Sequence, residues 1–247
     1  MSKILKKGVF ILILYFIRHG DPIYSPDSLT PLGQRQAEAV GKRLATHGID
    51  EIFASTSTRA KHTATPLSQI CKKPITELDW CNESHAWAEF TCKNEDGRFW
   101  LFGVEKMRKI MNSPEIRALG NEWYTHPAFE KCTADGAKRI AAAADEWLLS
   151  LGYKHNRDSC DYTAVTPNDK RIALFAHQGF GIAFLSSILD IPYPEFSMRF
   201  DIQHSGVTVI YFKNGGDGII PQVLQLSNDS HLYAEGLPTK YNNGFYI

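Results

Sequence analysis

Neither sign of charge prevails in this chain of 247 residues, in which Lys plus Arg number 27 and Asp plus Glu number 27. Nucleic acids and anionic membrane surfaces are bound through a concentrated cationic field, so the balance argues against both as partners. Cysteine is sparse: Cys71, Cys81, Cys92, Cys132 and Cys160 are an odd number with no CxxC spacing. That pattern offers neither a zinc knuckle nor a paired disulfide framework, and a reducing cytoplasmic setting is expected. The apolar run Val9 to Ile17 is shorter than the roughly 20 residues that span a bilayer. Lys3, Lys6 and Lys7 ahead of it imitate a secretory leader, but no small-residue cleavage site follows. The run is therefore read as a sheet strand behind a short extension, with export as the alternative. No internal repeat, low-complexity tract or dinucleotide fingerprint is present; Gly179-Phe180-Gly181 lacks the third glycine at the needed spacing.

What the chain does contain is an alternation of apolar strands and amphipathic helices, the pattern of an α/β fold with a mostly parallel sheet and helices on both faces. Strands are predicted at Val9 to Ile17, Ile52 to Ser55, Ile75 to Leu78 and Arg171 to Ala176, and a hairpin at Gly206 to Phe212 with Ile219 to Leu226 around Gly215-Gly216-Asp217-Gly218. Thr30-Pro31 is a helix start, with Ala37, Val40 and Leu44 as the apolar stripe and Gly48 closing it. Ala60, Ala64, Leu67 and Ile70 mark a second helix, with a kink expected at Pro66. Asp135 is expected to cap a helix with the stripe Ile140, Ala144, Trp147, Leu148 and Leu151, and Phe180 to Leu189 to form a buried one. A single domain over 1–247 is expected, interrupted by an insertion at 84–134 rich in aromatics, among them Trp87, Phe90, Phe99, Trp100, Trp123 and Phe129. Such segments form lids or specificity surfaces over a sheet's active edge, or pack a small core of their own. Tyr153 to Lys170 reads as a solvated excursion.

Arg18-His19-Gly20 follows the first strand directly, putting a histidine beside a fixed positive charge where open α/β sheets carry their chemistry. Gly20 is expected to let the backbone approach a ligand closely. Leu29 to Ala37, Ser55-Thr56-Ser57-Thr58-Arg59-Ala60, the acid in Asn82-Glu83, and Ala176-His177-Gln178-Gly179 come next in that order. The ordered set resembles the histidine phosphatase superfamily, the phosphoglycerate-mutase-like proteins, from about Phe16 to Leu232 with a gap over the middle segment. Two departures stand out. Gln178-Gly179 replaces the two glycines common after the second histidine, and the long segment typical of phosphoglycerate mutases after the first glycine is missing.

The resemblance implies a phosphomonoester hydrolase of small phosphorylated molecules that works through a phosphohistidine intermediate, with no cofactor and no metal. Arg18 and Arg59 are suited to bidentate phosphate contact as planar, permanently charged forks. His19 becomes the nucleophile and needs to be neutral, which neighbouring guanidinium groups favour. His177 is implied to donate a hydrogen bond to a phosphoryl oxygen. Glu83 is chosen to protonate the leaving oxygen and later deprotonate water, with Glu77, Asp79 and Glu89 as rivals. Ser25, Arg35 and Gln178 are weaker pocket candidates. A phosphoglycerate-type mutase and a phosphate- or peptide-binding module without turnover are the alternatives. The oligomeric state is left open.

Overall fold

The computed structural model describes residues 11–94, 97–129, 134–213 and 218–239. Six strands form the central sheet: β1 (Ile11–Arg18), β2 (Glu51–Ser55), β3 (Ile75–Leu78), β4 (Arg171–Ala176), β5 (Val207–Lys213) and β6 (Gln222–Asn228). Their order is β6-β5-β1-β4-β2-β3. The run from β1 through β4 and β2 to β3 is parallel, while β5 pairs antiparallel with β1 and β6 antiparallel with β5. Five helices matter most for the site: α1 (Pro31–Ala45), α2 (Thr58–Cys71), α3 (Glu83–Glu89), α4 (Ala134–Ser150) and α5 (Gln178–Ile188).

Successive side chains of a strand point to opposite faces, and here both faces are buried, which explains the uninterrupted apolar run of β1. Tyr15 and Ile17 join Phe175 and Val40, Leu44, Ala64 and Leu67 of α1 and α2 on one face. Leu12, Leu14 and Phe16 join Ile140, Ala144, Trp147 and Leu148 of α4 and Phe180 and Phe184 of α5 on the other. The fold is thus α/β with a mostly parallel sheet and helices on both faces. The Thr30 cap of α1 is present: Gly33 N–H donates to its Oγ1 at 3.0 Å, with Pro31 in the first turn.

Several local expectations are corrected. Pro66 lies inside α2, and Ile70 is exposed instead of continuing the buried stripe. Asp135 lies inside the first turn of α4, where its charge suits the helix dipole, and is not the cap. Ile219 bridges to Tyr162 and not to β5. Strand β6 starts only at Gln222, because Pro221 has no N–H to give to a ladder. Of the expected turn, residues 214–217 lie outside the described residues, as do Val9, Phe10 and the three lysines before them.

The stretch from Tyr153 to Lys170 is not a solvated excursion. Tyr153–Asn156 pairs antiparallel with Asp161–Ala164, and Tyr153 and Tyr162 are fully buried. Between them His155 is clamped by Asp145 of α4 on Nδ1 and Asp190 on Nε2, each at 2.9 Å, and stacks on Tyr162. Burial lowers its proton affinity, but the two carboxylates outweigh that and raise its pKa above the ordinary histidine value.

Residues 83–129 form α3, a hairpin of Thr91–Asn94 with Gly97–Trp100, two short helices, Glu105–Met111 and Pro114–Leu119, and 3-10 turns. Their aromatics divide into two groups. Phe90, Trp123 and Phe129 are buried, and Phe90 and Trp123 pack on Tyr193 with ring centroids 5.0 Å apart. Trp87 and Phe99 stay more than a third exposed, and Trp87 meets Trp100 edge to face.

Candidate active site

The carboxyl ends of β1, β2 and β4 converge on one pocket of about 590 Å³, into which Arg18, His19, Arg59 and Glu83 all project. Arg18 and His19 leave the end of β1 with only 4% and 3% of their surface exposed. Gly20 turns the chain there, and its small size lets the backbone pack against α1. A Cβ on Gly20 would stand 2.7 Å from the Gly33 carbonyl oxygen, and one on Gly33 would stand 2.2 Å from that of Asp21. The backbone beside His19 is thereby pressed against the first turn of α1. Gly20 N–H also donates to Thr63 Oγ1 at 3.0 Å, which ties the same turn to α2.

His19 Nδ1 sits 2.7 Å from the Gly20 carbonyl, which can only accept, so the proton is on Nδ1 and the lone pair is on Nε2. Burial, then His177, Arg18 and Arg59, hold the pKa of His19 well below the ordinary histidine value. The ring is therefore a neutral imidazole with its basic nitrogen uncommitted to that carbonyl.

Arg18 is fixed by parts of the chain far away in sequence. Its Nη1 donates to the Ile202 carbonyl at 2.7 Å, and its Nη2 lies 2.7 Å from His204 Nε2, which accepts. Burial pulls its pKa down to about 10, so it still carries its charge at neutral pH. Arg59 stands in the first turn of α2, which Ser57 caps. Its Nη1 pairs with Asp27 Oδ1 at 2.7 Å, and the other Asp27 oxygen accepts from Thr58 N–H at 2.7 Å. Asp27 thus holds both the guanidinium and the helix start that carries it. Among the described residues, the Nε of Arg18 and that of Arg59 are buried without a hydrogen-bond partner.

His177 is completely buried and lies edge-on to His19 with ring centroids 5.2 Å apart. Its Nδ1 accepts from Arg59 Nη2 at 3.2 Å, and its Nε2 faces Ser55 Oγ at 2.8 Å and Ser57 Oγ at 3.2 Å. Both ring nitrogens are thus in contact with protein groups in this structure, Nδ1 with Arg59 and Nε2 with the two serines. Burial and the two arginines lower its pKa well below the ordinary value.

Glu83 opens α3 behind Asn82, whose Oδ1 accepts from Ser84 N–H at 3.0 Å and whose Nδ2 donates to Thr56 Oγ1 at 2.8 Å. The Glu83 carboxylate reaches across the pocket to the start of α5, accepting from Gly179 N–H and Phe180 N–H, each at 2.9 Å. It caps that helix from 96 residues upstream. Burial raises its pKa above the usual carboxylate range, while the two N–H groups and then Arg18 and Arg59 pull it back. The rival acids are elsewhere. Glu77 pairs with Lys61, Asp79 is held by His85 and Thr56 at the surface, and Glu89 forks onto Arg139.

Of the weaker candidates, Gln178 lines the pocket, whereas Ser25 and Arg35 are exposed away from it. Trp87 and Trp100 of the aromatic-rich insertion line the pocket, whereas sequence reasoning missed Asp27, Ser57, Tyr24 and His204. Ser57 had a legible signal as a cap ahead of Thr58-Arg59; the others are brought in by tertiary contacts alone. Among the described residues no group of three His, Cys, Asp or Glu side chains could hold a metal ion, and no helix is long and apolar enough to cross a membrane. Cys71, Cys81, Cys92 and Cys160 are free thiols.

Residues 14–96 match the model of the histidine phosphatase superfamily, branch 1. No curated protein matches the sequence. Among solved structures, a mycobacterial glucosyl-3-phosphoglycerate phosphatase complexed with VO3 superposes with a TM-score of 0.57 at 17% identity, covering 87% of this chain and 98% of its own. A phosphoserine phosphatase from Entamoeba histolytica, complexed with phosphoserine, gives 0.56 at 17% identity, covering 90% and 99%. A second mycobacterial hydrolase gives 0.57 at 18%, covering 92% and 97%. The chain is thus similar to the histidine phosphatase superfamily, branch 1, over residues 14–96, and shares its fold with phosphatase structures over about nine-tenths of its length.

Proposed function

We propose that this chain hydrolyses phosphomonoesters of small molecules through a phosphohistidine at His19, with its own arginines and no metal ion supplying the charge. The observation that carries the reading is the juxtaposition at the end of β1. A neutral imidazole with Nε2 uncommitted to the Gly20 carbonyl lies among the buried Arg18 guanidinium and the partly exposed Arg59 one, and the buried Nε of each has no hydrogen-bond partner. Phosphoryl transfer demands little covalent work beyond a nucleophile, and rests on positioning and on neutralising the equatorial oxygens. Arg18 and Arg59 answer that demand, and Asp27, His204 and His177 hold them in place.

In the first step His19 Nε2 forms a bond to phosphorus as the ester P–O bond breaks. Glu83, whose pKa burial raises, gives its proton to the departing alkoxide. In the second step water attacks the phosphohistidine, Glu83 takes a proton from it, and the N–P bond breaks to release inorganic phosphate and neutral His19. His177 is a positioning residue in this scheme, acting through Arg59. The phosphatase names of the superposed structures support the reaction class, and free thiols fit a reducing cytoplasmic location. A single domain over 1–247 with 84–134 as an insertion covering the pocket belongs to the same reading.

Brief incubation with a labelled phosphomonoester tests the mechanism. Acid-labile, alkali-stable phosphate on His19 is expected, and His19→Ala abolishes both label and turnover. Retained turnover in His19→Ala would sink it.

A further inference from the structure

The phosphate end of the pocket is accounted for by the arginines and His19, which leaves the chemistry of the remaining wall. That wall is aromatic. Tyr24 is 70% exposed and Trp87 38% exposed, and Trp100 lies against Trp87 with ring centroids 5.1 Å apart. Trp100 is held close to the start of α5, since a Cβ on Gly179 would stand 2.1 Å from its indole. Tyr24 lies under the Arg59 guanidinium, 5.5 Å from it, so one end of the aromatic wall borders the phosphate site. Large exposed rings facing a cavity present apolar surface that a ligand can cover, and aromatic contact prefers another ring.

The charge inventory narrows the ligand further. The charged groups lining the pocket are Arg18, Arg59, Asp27 and Glu83. Both cations are assigned to phosphate, and Asp27 is already paired with Arg59. Arg98, on the hairpin that carries Trp100, is tied to Thr91 Oγ1 and the Ala88 carbonyl. Among the described residues no third cation therefore lines the pocket to receive a carboxylate on the leaving group. The remaining polar liners, Asn82, Ser84 and Gln178, are neutral. A volume of about 590 Å³ also exceeds what a three-carbon phosphate ester would fill, and falls in the range that encloses drug-sized ligands.

Given the phosphatase reading above, the geometry points to phosphomonoesters of uncharged alcohols that carry an aromatic ring as the substrate class, with Tyr24, Trp87 and Trp100 as the ring-binding wall. The phosphate sits on Arg18 and Arg59, and the ring of the leaving group lies along the indoles.

Binding of non-hydrolysable phosphonates separates this class from the catalytic reading. Calorimetric titration compares 2-phenylethylphosphonate, propylphosphonate and 2-carboxyethylphosphonate on the full chain. The phenylethyl compound should bind at least about tenfold more tightly than the propyl one, by burying the ring and its aromatic contacts, and the carboxyethyl compound more weakly than either. Trp87→Ala and Tyr24→Ala, each checked for a native melting profile, should bring the phenylethyl-to-propyl ratio toward one. Equal affinities for the first two probes, tighter binding of the carboxyethyl probe, no binding of any, or a ratio unmoved in both variants would each overturn the inference. Phosphate release from 2-phenylethyl phosphate and from propyl phosphate is scored separately. Ring-selective binding without release keeps the ligand class and removes the hydrolase reading, and release with no ring preference does the reverse.

Discussion

Replacing Glu83 by glutamine removes one proton and little else, and the structure fixes what should follow. The carboxylate accepts from Gly179 N–H through Oε1 and Phe180 N–H through Oε2, both at 2.9 Å. The amide keeps one acceptor and turns an NH2 group toward the other donor, a loss on the order of 1–3 kcal/mol. A second effect opposes it. The Glu83 pKa is raised in the fold, so its ionised form weighs against folding above that pKa, and glutamine carries no such cost. The melting temperature should therefore change modestly while the chemistry changes sharply. A general acid contributes about 10²–10⁴-fold, or roughly 2.7–5.4 kcal/mol of barrier. Rapid mixing should show the phosphorylation rate of His19 falling by that factor with an alkyl phosphate and far less with a nitrophenyl phosphate, whose leaving group needs no proton.

The pH profile adds a second readout. Productive encounter needs His19 neutral and Glu83 protonated, and burial moves the first pKa down and the second up. In the wild type kcat/KM should fall on the alkaline side as Glu83 ionises, and Glu83→Gln should lose that limb. An equal loss for both leaving groups, or no loss at all, refutes the acid role and returns Asp79 and Glu89 to consideration.

Asp27→Ala releases Arg59 and leaves Thr58 N–H without its acceptor, so kcat/KM should fall by about 10- to 100-fold, with Asp27→Asn milder; wild-type kinetics in Asp27→Ala would show that Arg59 needs no brace. Chelators should leave phosphate release intact while vanadate inhibits it, and activity lost on chelation and restored by a divalent ion would overturn the metal-free mechanism. The raised pKa of His155 contributes stability that is fully present below its unfolded value and lost as pH rises through the folded one. The melting-temperature advantage of the wild type over His155→Gln should thus shrink from about pH 6 to pH 9, and an advantage independent of pH would mean that His155 acts by shape alone.

The sheet was legible in the sequence because its signal is local. Arg171–Ala176 carries five apolar residues behind its arginine and Ile75–Leu78 a β-branched start with an apolar end, and each became a strand with the predicted limits. Arg18, His19, Arg59 and Glu83 could be found because each directly follows a strand or begins a helix in a recognisable order. Asp27 could not, since the short hairpin of Pro22–Tyr24 with Asp27–Leu29 says nothing of the guanidinium 32 positions away. His204, 186 residues from Arg18, is equally silent. The hairpin at Tyr153–Asn156 was hidden by its charges: His155, Arg157 and their acidic partners read as solvent-facing until the pairing that buries them is known. The packing of Gly20 on Gly33 was hidden for a related reason, because a glycine declares that something comes close without declaring what.

The position of β1 in the sheet has a consequence for how the molecule comes into being. Its two neighbours are Arg171–Ala176 and Val207–Lys213, both from the last third of the chain. During synthesis the apolar segment that delivers His19 is made early and has no strand to pair with until more than 150 residues have followed it. Strands β2 and β3 cannot stand in, since they join the sheet only through β4. Ordering of this kind, dominated by distant contacts, is slow and leaves an unpaired strand edge exposed to aggregation in the meantime. Fragments ending before Arg171 should therefore gather neither a sheet nor a phosphate site, and a nascent chain stalled there is a natural client for chaperones that shield bare apolar strands.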